Sequence, residues 1–140
     1  MALPPAQATI LVVDDEPLLR QLIARQLQTE GYTVLEAGYG MEALRVARAS
    51  AKPIDLVLSD IVMPGMIGTE LAQRLVDEHP GIRVVLMSAH SVSELAVPLG
   101  RPGAIPVLSK PVDGRKILAV VELLLNSNPP DVQPTRTSPQ

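Results

Sequence analysis

Short apolar runs alternate with helical patterns along most of the chain. Five runs rich in β-branched residues, at positions 10–13, 33–35, 54–58, 84–87 and 105–108, have the length and composition of buried strands. Between them the apolar spacing changes to threes and fours. Leu18, Leu19, Leu22, Ile23 and Leu27 fall on one side of a helix, as do Leu71, Leu75 and Val76, and again Ile117, Leu118, Val121, Leu124 and Leu125. Positions 41–49 are good helix formers. Gly31 closes the first helical stretch, Gly81 follows the third, and Asp113 stands where it can cap the last. Strand then helix, five times over, with strands apolar nearly throughout, implies a parallel sheet covered on both faces. The predicted fold is α/β: a doubly wound (βα)5 three-layer sandwich with right-handed crossovers.

The alternation stops at both ends. Residues 1–8 read as a loose N-terminal arm, residues 9–126 as one folded domain, and residues 127–140, with four prolines, as a disordered Pro-rich tail. The body is long enough to bury a real core without staples. No second domain is expected after Asn126, so the chain reads either as self-standing or as a piece of a larger protein.

Composition then narrows the function classes. The chain has two Tyr, no Phe and no Trp, too few aromatics for a base-stacking platform. Its net charge of −3 opposes binding to a phosphate backbone, so no nucleic-acid partner is expected. With no Cys, disulfides, thiolate metal sites and cysteine nucleophiles are excluded. The two histidines are too few for a multi-histidine metal site. No apolar run approaches ~18 residues, and the N-terminus lacks the pattern of a leader, which points to no membrane partner and a cytoplasmic location.

The candidate chemistry lies where the strands end. In a parallel sheet every C-terminal strand end falls on one edge, the edge where α/β proteins bind ligands. The first run leads into Asp14-Asp15, the third into Asp60, the fourth into Ser88 and the fifth into Lys110-Pro111. Taken singly each residue has an ordinary role: an Asp at such a junction caps a helix, Ser88 is a loop hydroxyl and Lys110 a surface charge. Together they put three carboxylates, a hydroxyl and an ammonium in one place. Two carboxylates ~5 Å apart repel by about 3 kcal/mol at an effective dielectric near 20, so a divalent cation is the natural remedy. Oxygen ligands without His or Cys select a hard ion, Mg²⁺ above all. Lys110 and Ser88 would then serve phosphoryl oxygens, and one Asp could act as the nucleophile. The set suggests Mg²⁺-dependent phosphoryl transfer onto a carboxylate.

The residues at positions 11–17 (LVVDDEP), 56–68 (LVLSDIVMPGMIG), 87–89 (MSA) and 108–111 (LSKP) resemble the receiver domain of a two-component response regulator, and the likeness runs over about residues 9–126. The resemblance implies a flavodoxin-like fold with the sheet order 2-1-3-4-5 that receivers share with flavodoxin. It implies that Asp60 is the phosphoacceptor, supplied by a histidine kinase or histidine phosphotransfer protein. Asp15 matches a direct Mg²⁺ ligand, Asp14 one that acts largely through water, and Val62 a ligand by its backbone carbonyl. Ser88 matches the switch hydroxyl, Lys110 the cation on the phosphoryl group, and Lys110-Pro111 a bond usually cis in the family. The implied function is a phosphorelay switch of protein contacts, with an output protein or a second copy of the chain as partner. The only catalysis implied is its own phosphorylation and dephosphorylation.

Two features depart from that pattern. Val107 stands three before Lys110, where the family usually carries Tyr or Phe, so no aromatic rotamer can report phosphorylation. Positions 91–104 contain Pro98, Gly100, Pro102 and Gly103, and an interior Pro costs a helix ~3 kcal/mol. Any helix there is expected to be short, about 91–97, with output through another surface or by ordering of that helix. Val62 and His90 flank the site at positions that tune phosphoryl lifetime in the family, though His90 reads first as an exposed loop residue.

Three other functions compete. Gly38, Gly40 and Ala43 make a G-x-G-x-x-A after a strand, with Asp60 about 20 residues on, a local dinucleotide-binding fingerprint. It sits on the second strand–helix unit and leaves Asp14, Asp15, Ser88 and Lys110 unexplained. A receiver-shaped module that is never phosphorylated would not need the acidic pair and Lys110. A hydrolase using Asp60 as nucleophile would want a general acid two residues later, where Val62 stands.

Overall fold

A computed structural model of the chain describes residues 8–89, 105–111 and 113–126. Five strands form one parallel sheet: β1 (Thr9–Val13), β2 (Thr33–Ala37), β3 (Leu56–Asp60), β4 (Arg83–Ser88) and β5 (Val107–Ser109). Their order is β2-β1-β3-β4-β5, with every neighbouring pair parallel. The described helices are α1 (Pro17–Thr29), α2 (Gly40–Ala49), α3 (Gly68–Glu78) and α4 (Gly114–Leu125). The flavodoxin-like α/β architecture and its strand order are thus as the sequence implies.

Burial follows position in the sheet. Every residue of β1 and β3 is buried, because both strands have neighbours on either side and helices over both faces. The edge strand β2 is apolar only at Val34, Leu35 and Ala37 and is half exposed. The sheet separates two apolar layers. Leu11, Val13, Leu44, Val57, Leu71, Leu75 and Leu86 pack with α2 and α3 on one side. Ile10, Val12, Ile23, Leu27, Leu58, Val85, Ile117 and Val121 pack with α1 and α4 on the other.

Local signals explain the helix ends. Pro17 opens α1 at a position where its missing N–H and fixed φ cost nothing. The Asp113 side chain accepts a hydrogen bond from the Arg115 N–H and caps α4. One expectation for α1 is corrected. Leu18 and Leu22 are 82% and 56% exposed, whereas Ile23, Ala24 and Leu27 are buried and Leu19 packs beside them. A step of one residue turns an α-helix by about 100°, so the 18/22 row lies well round from the 19/23/27 row that meets the sheet.

The ends of the chain and the predicted fourth helix at 91–97, together with His90, lie outside the described residues. Ala8, placed in the loose arm by sequence, is fully buried and its carbonyl accepts from the Thr33 N–H. The packed body therefore starts one residue earlier than the pattern of strands suggests. No described helix is long and apolar enough to cross a membrane.

Candidate functional site

The C-terminal edge of β1, β3, β4 and β5 carries the predicted residues. Asp14 follows directly on β1 and is fully buried, with its N–H donating to the Ala37 carbonyl at 3.2 Å. Asp15, the next residue, is exposed. Asp60 is the last residue of β3 and is 6% exposed. Ser88 ends β4 and is fully buried, one register step beyond the residue that pairs with Asp60. Lys110 comes just after β5, its N–H held by the Ser88 carbonyl at 2.6 Å. The Lys110-Pro111 bond is cis.

Ninety-six positions apart in the chain, Asp14 and Lys110 touch. The Lys110 Nζ donates to Asp14 Oδ2 and to Asp60 Oδ2, each at 3.1 Å, and stands 3.7 Å from Glu16 Oε1. The other Asp14 oxygen, Oδ1, accepts from the Glu16 N–H at 2.9 Å. Asp14, Asp15 and Asp60 each offer a carboxylate oxygen within 4.8 Å of the other two. One ammonium therefore faces a cluster of carboxylates, and the pocket keeps an excess of negative charge on its outer side.

Electrostatics differ for the two partners. Burial pushes the Asp60 carboxyl above its ordinary value, and the charge of Asp14 adds to that. Lys110 and the Val62 backbone N–H offset part of the rise. Burial alone would lower the Lys110 ammonium, but its hydrogen bonds to Asp14 and Asp60 outweigh this and raise it. The cation is firmly charged, while burial favours the protonated form of Asp60.

A shaped loop connects Asp60 to α3. Gly65 takes a φ of 86°, a left-handed conformation that a residue with a Cβ rarely adopts. Met63 and Met66 turn inward while Val62 and Ile67 stand 60% and 49% exposed. The loop closes where the Gly68 N–H donates to the Ile61 carbonyl at 2.6 Å. A Cβ on Gly68 would collide with the Asp60 carbonyl oxygen and lie 2.8 Å from Ile61 Cα.

Asp14, Asp15, Asp60, Ser88 and Lys110 come together at this edge, while Val62 exposes its side chain and meets Asp60 through its backbone N–H. Val107 is half-buried in β5 opposite Leu86. Sequence reasoning missed Glu16, beside Lys110, and Gly68, under the Asp60 carbonyl. It also missed Arg20, whose only signal is a charge on the side of α1 that faces the sheet. The dinucleotide fingerprint has a different explanation. A Cβ on Gly38 would lie 3.2 Å from Arg20 Nη1, and one on Gly40 would lie 2.7 Å from Met66 Sδ. Those glycines make room for two of the chain's own side chains, Arg20 and Met66.

Over residues 10–122 the chain matches the response regulator receiver domain family. It is 36% identical over 118 residues to the sensor kinase CckA of Brucella abortus, covering 84% of this chain and 12% of the kinase. It is 38% identical over 125 residues to the DNA-binding transcriptional regulator NtrC of Escherichia coli, covering 89% of this chain and 26% of the regulator. The chain thus spans about an eighth to a quarter of the length of these relatives. The response regulator protein TrrA of Thermotoga maritima, solved in complex with Mg(2+)-BeF, superimposes with a TM-score of 0.72 at 34% identity. That alignment covers 84% of this chain and 98% of TrrA.

Proposed function

The chain belongs to the response regulator receiver domain family of two-component systems, and from that premise we propose that Asp60 accepts a phosphoryl group from a phosphohistidine. The observation that carries this reading is the Lys110 ammonium bonded at 3.1 Å to both Asp60 and Asp14 on the ligand-binding edge of the sheet. A carboxylate with a fixed cation beside it is set up to receive a group whose oxygens carry negative charge.

The step balances simply. An Asp60 carboxylate oxygen bonds to phosphorus, the phosphorus–nitrogen bond of the donor breaks, and the imidazole, protonated from solvent at its other ring nitrogen, leaves neutral. Lys110 turns part of its hydrogen bonding to the phosphoryl oxygens. Ser88, buried at the end of the adjacent strand, supplies a hydroxyl to them. The donor set fits Mg²⁺: three hard carboxylate oxygens from Asp14, Asp15 and Asp60 lie close together, with no nitrogen or sulfur ligand among them. Asp15 and Asp60 would hold the ion with the Val62 carbonyl. Asp14, whose oxygens accept from the Glu16 N–H and the Lys110 Nζ, would act through water, as the likeness to receivers implies. The ion's contribution is to neutralise phosphoryl charge against the acidic cluster.

The donor is a histidine kinase or histidine phosphotransfer protein, met in the cytoplasm, and the result is altered contact with an output protein. Intact mass after incubation with acetyl phosphate and Mg²⁺ tests the reading. Wild type should gain one phosphoryl group and Asp60→Asn none. Equal gain in both, or no gain in wild type, would overturn it.

A further inference from the structure

Arg20 is a charged residue on the buried side of a helix. It lies fourth in α1, within the arc of Ile23, Ala24 and Leu27, and its side chain is 19% exposed. The guanidinium spans two elements. Its Nη1 donates to the Asp14 backbone carbonyl at 2.9 Å, and its Nε donates to Glu36 Oε1 of β2 at 3.0 Å. It crosses directly over Gly38, where a Cβ would stand 3.2 Å from Nη1. The Gly38 N–H in turn donates to Glu42 Oε1 at 2.6 Å, which holds the turn that lets the guanidinium pass.

The Asp14 backbone is thereby held at its N–H by β2 and at its carbonyl by Arg20. The Asp14 N–H donates to the Ala37 carbonyl, and the Asp14 carbonyl accepts from Arg20. Both carboxylates of the acidic pair hang from that unit. Resting on the phosphoacceptor reading above, we propose that Arg20 is a positioning residue, anchored by Glu36, that fixes the orientation of the Asp14–Asp15 pair for its cation. The planar fork is what makes this workable: Nη1 and Nε donate from separate, rigidly linked positions to acceptors on two elements, a spacing that a compact ammonium does not preset.

Mg²⁺ titration by calorimetry and backbone amide exchange in metal-free protein test the inference on Arg20→Met, Arg20→Lys and Glu36→Gln. Hydrogen-bonding partners of metal ligands typically change metal affinity by 10–100-fold, so Arg20→Met should weaken Mg²⁺ binding about tenfold. Arg20→Lys should keep most of that loss, and Glu36→Gln should show a smaller loss in the same direction. Amide exchange at Asp15 and Glu16 should speed up in Arg20→Met. Wild-type Mg²⁺ affinity in Arg20→Met, full recovery in Arg20→Lys, or unchanged exchange at those two amides would overturn it. If Arg20→Met fails to fold, the other two variants decide. Neither readout involves phosphorylation, so a wild type that takes up no phosphoryl group strikes the phosphoacceptor reading and leaves this one standing. A wild type that binds no Mg²⁺ strikes the metal assignment, and the exchange measurement still decides whether Arg20 holds the pair.

Discussion

Asp60 and Lys110 meet across the pocket, yet they hang from unlike parts of the molecule. Asp60 ends β3, five residues that are all buried, hydrogen-bonded to β1 on one side and β4 on the other. Lys110 follows β5, three residues that are half-buried or exposed and pair with β4. Asp60 and the buried member of the acidic pair are carried by the two fully buried strands, β3 and β1. The cation arrives from the margin of the sheet, where local opening costs least. On the proposed function this division is useful: the carboxylate stays with the centre of the sheet while Lys110 can turn part of its hydrogen bonding to an incoming group.

The sharpest way to break that contrast is to add one methyl group on each side. Gly68→Ala would press a Cβ onto the Asp60 carbonyl and Ile61 Cα, backbone that β3 cannot yield. A loss of about 3 kcal/mol or more in urea denaturation is expected, at the upper end of overpacking costs. Gly114→Ala at the start of α4 would meet only the end of the Gln26 side chain, which can swing aside. Alanine is also the better helix former, so stability should change by less than about 1 kcal/mol. Equal losses would show that the Gln26 side chain against α4 yields no more than the β3 backbone.

A middle-sized effect comes from removing the cation. Lys110→Met leaves Asp14 and Asp60 buried side by side without their ammonium. Protonation of Asp60, whose carboxyl burial already raises, limits the damage to about 2 kcal/mol at neutral pH. The gap from wild type should narrow as pH falls and Asp60 takes up its proton. A gap that widened on acidification would contradict the electrostatics described for the pair.

The smallest effect reads how α4 docks. Tyr32 is 6% exposed in the layer that includes Val121 and Leu125 of α4. Burial raises its phenol above the ordinary value near 10, and the charges of Glu122 and Glu30 raise it further. In Tyr39→Phe, whose absorbance reports Tyr32 alone, the phenol should titrate above that value, and Glu122→Gln should bring it slightly down. With the folded pKa raised, the associated stability is complete below the unfolded phenol pKa. It is lost as pH rises through the folded one. A phenol indifferent to Glu122 would mean that α4 packs more loosely than the layer suggests.

Much of this molecule is legible in its amino-acid sequence. The five strand runs, the Asp113 cap and the convergence of Asp14, Asp15, Asp60, Ser88 and Lys110 on one edge need only period, length and the parallel direction of the strands. These properties are local, or follow from connectivity, so neighbouring residues encode them. The resemblance to receivers added the strand order and the cis bond at Lys110-Pro111, which the structure carries.

Other features were decided only when the chain closed on itself. A row of leucines states that α1 is amphipathic, but the angle at which the helix meets the sheet leaves Leu18 and Leu22 outside and carries Arg20 to Glu36 and the Asp14 carbonyl. Two glycines that spell a nucleotide motif turned out to clear space for Arg20 and Met66. A local pattern can say which residues prefer burial or a strand end. It cannot say which side chain from a distant segment will fill the space beside them, because steric fit and charge pairing exist only between surfaces already brought together.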